Sequence, residues 1–434
     1  MAVDLAQAAK EKGIKYFLIS FSDMFGVTRA KLVPARAIGQ MQKDGAGFAG
    51  FAAWLDMTPA YPDMFGIPDP DSLIQLPWKP EVAWLASDLW MDGQPVEASP
   101  RVMLKRQVEA AAAQGYRLKT GVECEYFLID AEGTAISDPR DIQPKPCYDQ
   151  SALMRRYEVI SAICDGMNTL GWGPYQNDHE DANGQFEMNW DYDDALVTAD
   201  RHVFFKYMVK QIAENNGLRA TFMPKPFTNL TGNGCHCHAS LWDPTGQTNL
   251  FEGDGELGMS ALSYHFLGGV LHSAEALAAF FNPTVNSYKR INAPRTLSGA
   301  TWSPNTVTYG GNNRTHMVRI PDPGRFEFRL MDGATNPYLM QAALLATGLD
   351  GIANTRDPGK RLDIDMYAEG HKVRGAKKLP LNLLDALRNL QKNRVLNASL
   401  GKAQVDSYIK LRMQEWDDYC HHFSQWERDH TLDC

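Results

Sequence analysis

No apolar run in this chain approaches the roughly 20 residues that span a bilayer, which excludes a transmembrane helix. The opening stretch, MAVDLAQAAKEKG, carries charges where a signal peptide needs an apolar core, so the expected compartment is the cytoplasm, with no membrane partner. Paired CxxC sets are missing as well. The seven cysteines, Cys124, Cys147, Cys164, Cys235, Cys237, Cys420 and Cys434, are odd in number and scattered, and offer neither a disulfide framework nor a structural zinc pattern. An excess of basic residues is also lacking. The formal net charge of −9 argues against a broad nucleic-acid-binding surface. A chain with this balance that handles anions must concentrate its basic groups locally.

What is present is a soluble, globular composition, 44% hydrophobic and 22% charged, in 434 residues, enough for two domains. A strand-like KYFLISFSD (Lys15–Asp23) precedes a Gly/Ala-rich stretch and a Pro/Asp-rich segment, PAYPDMFGIPDPD (Pro59–Asp71), whose composition reads as an ordered functional loop. In EASPRVMLKRQVEAAAAQGY, Ser99 can cap a helix, Pro100 fits its first turn and Gly115 ends it. The expected boundary falls before that helix, dividing residues 1–98 from residues 99–434. A second long helix is expected within Asp194–Gly217, and the tail from LNLLDALRNL onward reads as helical and peripheral.

Four segments alternate polar and apolar residues with a period of two, so that residues i and i+2 share one face of a strand. TGVECEYFLID (Thr120–Asp130) aligns Glu123 with Glu125. GQFEMNW (Gly184–Trp190) aligns Gln185, Glu187 and Asn189. GNGCHCHASLW (Gly232–Trp242) aligns His236, His238 and Ser240, and GRFEFRL (Gly324–Leu330) aligns Arg325, Glu327 and Arg329. Any one of these faces, taken alone, reads as a solvated face of an antiparallel sheet. Together they hold Glu, His and Arg but no Lys, and carboxylates gathered in that number repel without a cation. Oxygen-rich ligands with an occasional imidazole suit Mg²⁺ or Mn²⁺. Zinc is the weaker reading of CHCH, since neighbouring strand residues point to opposite faces and the cysteines then belong to the core.

These motifs, with HEDANGQFE (His179–Glu187), NSYKR (Asn286–Arg290), NNRTHMVRIP (Asn312–Pro321) and DGATNPYLMQAALLATGLDGI (Asp332–Ile352), resemble the glutamine synthetase family across most of residues 99–355. The resemblance implies an α+β fold: a small β-grasp-like N-terminal domain that completes a neighbour's active site, and a large C-terminal catalytic domain with a curved antiparallel sheet flanked by helices. It implies two or three divalent ions per site, one held by Glu125, Glu180 and Glu187 and another by Glu123, His236 and Glu327. ATP is implied at His238 and Ser240, with its phosphates at Arg314, Arg319 and Arg325. L-glutamate is implied at Arg290, Arg329 and the loop carrying Gly232. Arg314 and Glu327 are the expected catalytic groups, and the expected assembly is a dodecamer of two stacked hexamers.

Two departures bear on the amine. The family's flap glutamate is absent from INAPRTLSGATWSPN (Ile291–Asn305), which has no acidic residue, and the latch aspartate is replaced by Ala49 in GFAGFA (Gly47–Ala52). With Phe48, Phe51 and Trp302 nearby in sequence, the amine pocket is less acidic and more apolar. The branch most resembled is therefore the one that joins glutamate to methylamine through γ-glutamyl phosphate. Asp178 and His179 are candidates for taking the amine's proton. If Asp56, Asp63 or Asp71 supplies the missing carboxylates, the amine is ammonia. A ligase for another small amine and a non-catalytic family member complete the alternatives.

Overall fold

The computed structural model describes residues 3–294, 296, 298 and 301–434. Residues 295, 297, 299 and 300, part of the expected flap, lie outside the described residues. The chain is organised around two sheets. The first contains β1 (Tyr16–Ser22), β2 (Thr28–Pro34), β3 (Ala46–Phe48), β4 (Met64–Pro68), β5 (Ile74–Gln75), β6 (Val82–Met91) and β7 (Gln94–Pro95). Its order is β2-β1-β6-β4-β3, with β5 and β7 pairing to β6, and β1 running parallel to β6. The second contains β8 (Arg117–Ile129), β9 (Pro174–His179), β10 (Gln185–Trp190), β11 (Asp193–Asp194), β12 (Arg219–Thr221), β13 (Cys235–Trp242), β14 (Tyr309–Gly310), β15 (Val318–Arg319) and β16 (Phe326–Phe328). It runs β14-β15-β16-β13-β8-β10-β9, with β11 and β12 pairing to β8. The expected α+β architecture is present.

Two local expectations need correction. Ser99 occupies the N-cap position of the helix Pro100–Ala112, but its hydroxyl makes no capping bond, and Pro100 alone sets that first turn. The Pro/Asp-rich segment is not all loop, because Met64–Pro68 forms β4 between β3 and β6. Met64, Gly66 and Pro68 are buried there while Phe65 is exposed, so a period-two pattern sits within the turn-forming residues on either side.

β6 is buried on both faces. Val82, Trp84 and Ala86 join the large core, whereas Ala83 and Leu85 join a smaller one with Leu5, Phe17 and Ile38. Trp84 meets Phe204 of the helix Ala195–Asn215 with ring centroids 5.7 Å apart. A buried Arg101 ties the same parts together. Its guanidinium holds Asp69 and Asp88 on the N-terminal side at 2.7 Å each, and Asp200 of that helix at 2.9 Å. Asp200 also accepts from Tyr338 Oη at 2.7 Å. The tail helix Leu383–Lys392 turns Leu383, Ala386, Leu387 and Leu390 into the core. Among the described residues no helix is long and apolar enough to cross a membrane.

Candidate active site

The four alternating segments become four adjacent antiparallel strands, β16-β13-β8-β10. Register then sets the chemistry. Glu327 lies opposite His238, His236 opposite Glu123, and Glu125 opposite Glu187. The reverse faces carry Cys124, Tyr126, Phe186, Met188, Cys235, Cys237, Phe326 and Phe328, all in the core. The polar faces are not solvated, since Glu125, Glu187, His236, Glu327 and Arg329 are all buried.

A chain of contacts crosses the strands. Arg325 Nη1 donates to His238 Nδ1 at 3.2 Å, and His238 Nε2 lies 2.9 Å from Glu123 Oε1. His236 Nδ1 stands 3.3 Å from Glu123 and 3.6 Å from Glu327. Glu327 accepts from Arg319 at 2.6 Å on one oxygen and from Arg329 on the other. Burial pushes Glu327 up, but the charge of Arg329, then of His236 and His238, outweighs it and brings its pKa down to about 2. Glu123 is likewise raised by burial but held well below the usual range by hydrogen bonds from His236 and His238. The other end of the cluster behaves in the opposite way. Burial and Glu125 raise Glu180 to about 8, and burial with Glu123, Glu180 and Glu125 pushes Glu187 well above a normal carboxyl.

Three of the four metal-capable groups among the described residues lie here: Glu123 with His236 and Glu327, Glu125 with Glu187 and His236, and Asp178 with Glu180 and Glu187. The expected Glu123/His236/Glu327 set is brought together as such. Glu187 is shared between the other two, placing Glu125 on one side of it and Glu180 on the other. His236 Nε2 is buried with no hydrogen-bond partner, 4.0 Å from Glu125 Oε1. An orphaned imidazole nitrogen among clustered carboxylates fits the divalent cations implied by the donor set.

Two cavities meet at Glu123. One, about 140 Å³, is lined by Glu123, Glu125, Asp178, Glu180, Glu187, His236, Glu327, Arg314, Arg319 and Arg329, with Trp302 on its wall. The other, about 310 Å³, is lined by Glu123, His238, Ser240 and Arg325 and widens onto Lys119, Tyr175, Tyr192 and Trp242. Those last four were not identified in the sequence. Lys119 Nζ sits 4.1 Å from the Trp242 ring centroid, and Tyr192 stacks on Trp242 at 6.3 Å. Trp242 was within reach of the period-two pattern, since it follows Ser240 on the same face of β13 and donates to Ser240 Oγ at 2.8 Å.

Arg290 is buried behind this floor, with Nη1 donating to the Leu330 carbonyl at 3.1 Å. Gly234 allows its approach, because a Cβ there would lie 2.9 Å from both Arg290 Nη2 and Glu125 Oε1. The backbone N–H of Gly234 donates to Glu125 at 2.6 Å, and Gln185 bridges Glu125 and the Gly232 carbonyl. Asp178 lies on the cavity wall, its carboxyl raised by burial and by Glu123. His179 is not brought to the cavity. It is fully buried, with Nε2 at 2.6 Å from Asp141 and Nδ1 at 3.0 Å from the Glu180 carbonyl, so both ring nitrogens are occupied.

The flap is joined to this site by a carboxylate behind the cavity. Asp181 accepts from Thr231 at 2.8 Å and from Ser298, and Thr296 lies 3.1 Å from Ser298. On the latch segment Phe48 packs against Phe21 at 5.0 Å within the N-terminal sheet, whereas Ala49 and Phe51 are exposed. Asp56 is engaged by Lys410 at 2.7 Å.

Comparison with known proteins places this arrangement. Residues 97–431 match the family described as "Glutamine synthetase, catalytic domain". The chain is 65% identical over 435 residues to a protein called glutamine synthetase from Rhizobium leguminosarum bv. phaseoli, covering 100% of both. It is 43% identical over 437 residues, covering 98% of each, to a glutamate–methylamine ligase from Methyloversatilis universalis. A solved structure titled "GmaS/ADP complex-Conformation 1" superposes with a TM-score of 0.97 at 66% identity, covering 99% of this chain and 100% of that one.

Proposed function

Because the chain belongs to the glutamine synthetase family of ligases, we propose that its own reaction joins L-glutamate to methylamine, with ATP converted to ADP and phosphate through γ-glutamyl phosphate. The observation that carries this assignment is the absence of acid at the flap and latch positions. The flap, residues 291–305, has no Asp or Glu, the latch position is Ala49, and Trp302 lines the cavity. Burying one methyl contributes about 0.8 kcal/mol, a few-fold preference, and weakened ammonium binding supplies the rest. A relative named glutamate–methylamine ligase and a solved structure titled GmaS support the same assignment. The 65%-identical relative named glutamine synthetase favours ammonia as the second reading.

The two cavities support these residue roles, with Arg290 and Gly232, which line neither, assigned from the family resemblance. Tyr192, Trp242 and Lys119 hold the base of ATP. His238, Ser240 and Arg325 carry its phosphates toward Glu123, and Arg314 and Arg319 receive the transferring end. Glu123, His236 and Glu327 hold one divalent cation, with Glu125, Glu180 and Glu187 around the other. When bound, these cations neutralise charge on the phosphates, which lets a carboxylate approach a polyanion. Arg290 and Arg329, with the loop at Gly232, orient glutamate. Glu327 fixes Arg319 and Arg329 by binding one on each carboxylate oxygen, so both guanidiniums are positioned before substrate arrives. Asp178, on the wall beside Glu180, takes the proton that the amine must lose before it attacks.

Residues 1–98 are assigned as the N-terminal domain that completes a neighbour's site in a dodecamer of two stacked hexamers. Their latch leaves Phe51 and Trp54 53% and 43% exposed, apolar surface that such a neighbour covers. The test is product identity. With glutamate, ATP and Mg²⁺ fixed, mass spectrometry should detect N5-methylglutamine from methylamine far faster than glutamine from ammonium. Faster formation of glutamine refutes the methylamine assignment.

A further inference from the structure

The strands that carry the metal ligands also bring three groups together on their other face. Cys124 of β8 and Cys235 of β13 are directly opposed in the antiparallel pairing. Their sulfurs are 3.7 Å apart. His202, from the helix Ala195–Asn215, places Nε2 3.1 Å from Cys124 Sγ and 3.9 Å from Cys235 Sγ. Its Nδ1 is buried without a partner. Cys124, Cys235 and His202 are 1%, 0% and 1% exposed. The mechanism above uses none of them.

The register at this pair favours closure. The N–H of Glu125 donates to the Gly234 carbonyl at 3.2 Å, so the ladder bonds flank the two cysteines and do not link them. At such non-hydrogen-bonded positions the α-carbons are about 4.5 Å apart and the side chains are at their closest. That separation lies inside the range a disulfide spans, about 4.4–6.8 Å. A soft metal is the weaker occupant. Cys124, His202 and Cys235 supply three ligands where a structural zinc site takes four.

We propose that Cys124 and Cys235 form an oxidation site, a dithiol that a hydroperoxide closes to a cross-strand disulfide, and that closure weakens metal binding on the opposite face. The balance is simple. Both S–H bonds and the peroxide O–O bond break, one S–S bond forms, and the protons and oxygens leave as two waters from hydrogen peroxide, or as one water and one alcohol from an alkyl hydroperoxide. The two sulfurs are oxidised and the two peroxide oxygens reduced. His202 Nε2 is the nearest acceptor for the proton leaving Cys124.

Coupling follows from adjacency. Cys124 lies between Glu123 and Glu125, and Cys235 lies between His236 and Gly234, whose N–H holds Glu125 at 2.6 Å. Taking the sulfurs from 3.7 Å to about 2.05 Å between α-carbons at the short end of the disulfide range strains the backbones that carry three of the ligands.

The experiment uses the full-length assembled enzyme, treated metal-free with hydrogen peroxide, alkylated and digested. Mass spectrometry should find the Cys124 and Cys235 peptides linked. Mn²⁺ affinity, followed by electron paramagnetic resonance of the free ion, should fall at least tenfold and return with dithiothreitol. Cys235→Ala should keep its Mn²⁺ affinity after peroxide, and Cys124→Ser serves if that variant does not fold. Cys147→Ser should still lose affinity, which separates this pair from Cys147 beside Glu180 and Asp181. The linkage is read by mass alone, whereas the loss of Mn²⁺ rests on the metal roles proposed above. Absence of the linked peptides overturns the oxidation site. Linked enzyme with unchanged Mn²⁺ binding overturns the coupling. Silver or zinc bound stoichiometrically through Cys124 and Cys235, with no disulfide formed under peroxide, replaces the oxidation site with a metal site.

Discussion

Removing divalent metal should make the protein lose stability as pH rises, and Glu180 gives the size of the effect. Its carboxyl is raised from 4.5 to about 8 by burial and by Glu125. The folded, metal-free state therefore binds this proton more tightly than the unfolded state does. Its stabilisation is complete below pH 4.5 and is lost as pH climbs toward 8. At 1.36 kcal/mol per unit, the stretch from pH 5.5 to 8 removes ~3 kcal/mol. With an unfolding entropy near 2.1 cal/mol/K per residue, that lowers the melting temperature by about 3–4 °C for a chain of this length. Glu327 does not contribute within this window. Its folded pKa of about 2 lies below 4.5, so its stabilisation is present above 4.5 and is lost as pH falls from 4.5 through 2. Scanning calorimetry in EDTA isolates Glu180 through Glu180→Gln, a neutral isostere. The variant should be the more stable protein at pH 8 by several degrees and should show a shallower fall, while Mg²⁺ or Mn²⁺ stabilises the wild type more than the variant. Identical pH slopes for the two proteins in EDTA would refute the account of a carboxylate cluster that needs a cation.

Three further outcomes are expected. Glu327→Ala should lower kcat by at least ~100-fold, the scale of losing a preorganised electrostatic group, because it removes a proposed metal ligand and frees Arg319 and Arg329 together; size-exclusion chromatography should show an elution volume equal to that of the wild type. Arg101→Ala should cost roughly 3–5 kcal/mol in urea unfolding, since it leaves Asp69, Asp88 and Asp200 without their shared cation, and a loss below 1 kcal/mol would contradict that role. Trp242→Ala should raise the KM for ATP about tenfold with little change in that for glutamate, as expected when an aromatic stacking surface of ~1.4 kcal/mol is lost.

The catalytic sheet was legible because its signal is local. Each strand states its two faces in five to eight residues, and the register only has to align faces already sorted by alternation. The same rule explains where the candidates divide. In β9 and the residue after it, Asp178 and Glu180 share a face and His179 takes the other, so the histidine turns inward to Asp141. β4 was hidden because Pro and Asp on both sides outweigh five residues of strand pattern. Lys119 and Tyr192 meet Trp242, and Tyr175 joins their cavity, only through tertiary structure, and Arg101 finds Asp200 across 99 positions of sequence. The Cys124–Cys235 contact needed the pairing register, which neither strand discloses alone.

Which amine the site joins to glutamate is decided by one competition. The enzyme receives methylammonium and ammonium together at equal concentration, with glutamate, ATP and Mg²⁺ saturating, and the two amide products are counted by mass spectrometry in the same tube. The account predicts N5-methylglutamine in excess of glutamine by tenfold or more, with the ratio falling in Ala49→Asp. Glutamine as the major product, or a ratio that Ala49→Asp leaves unmoved, would contradict it.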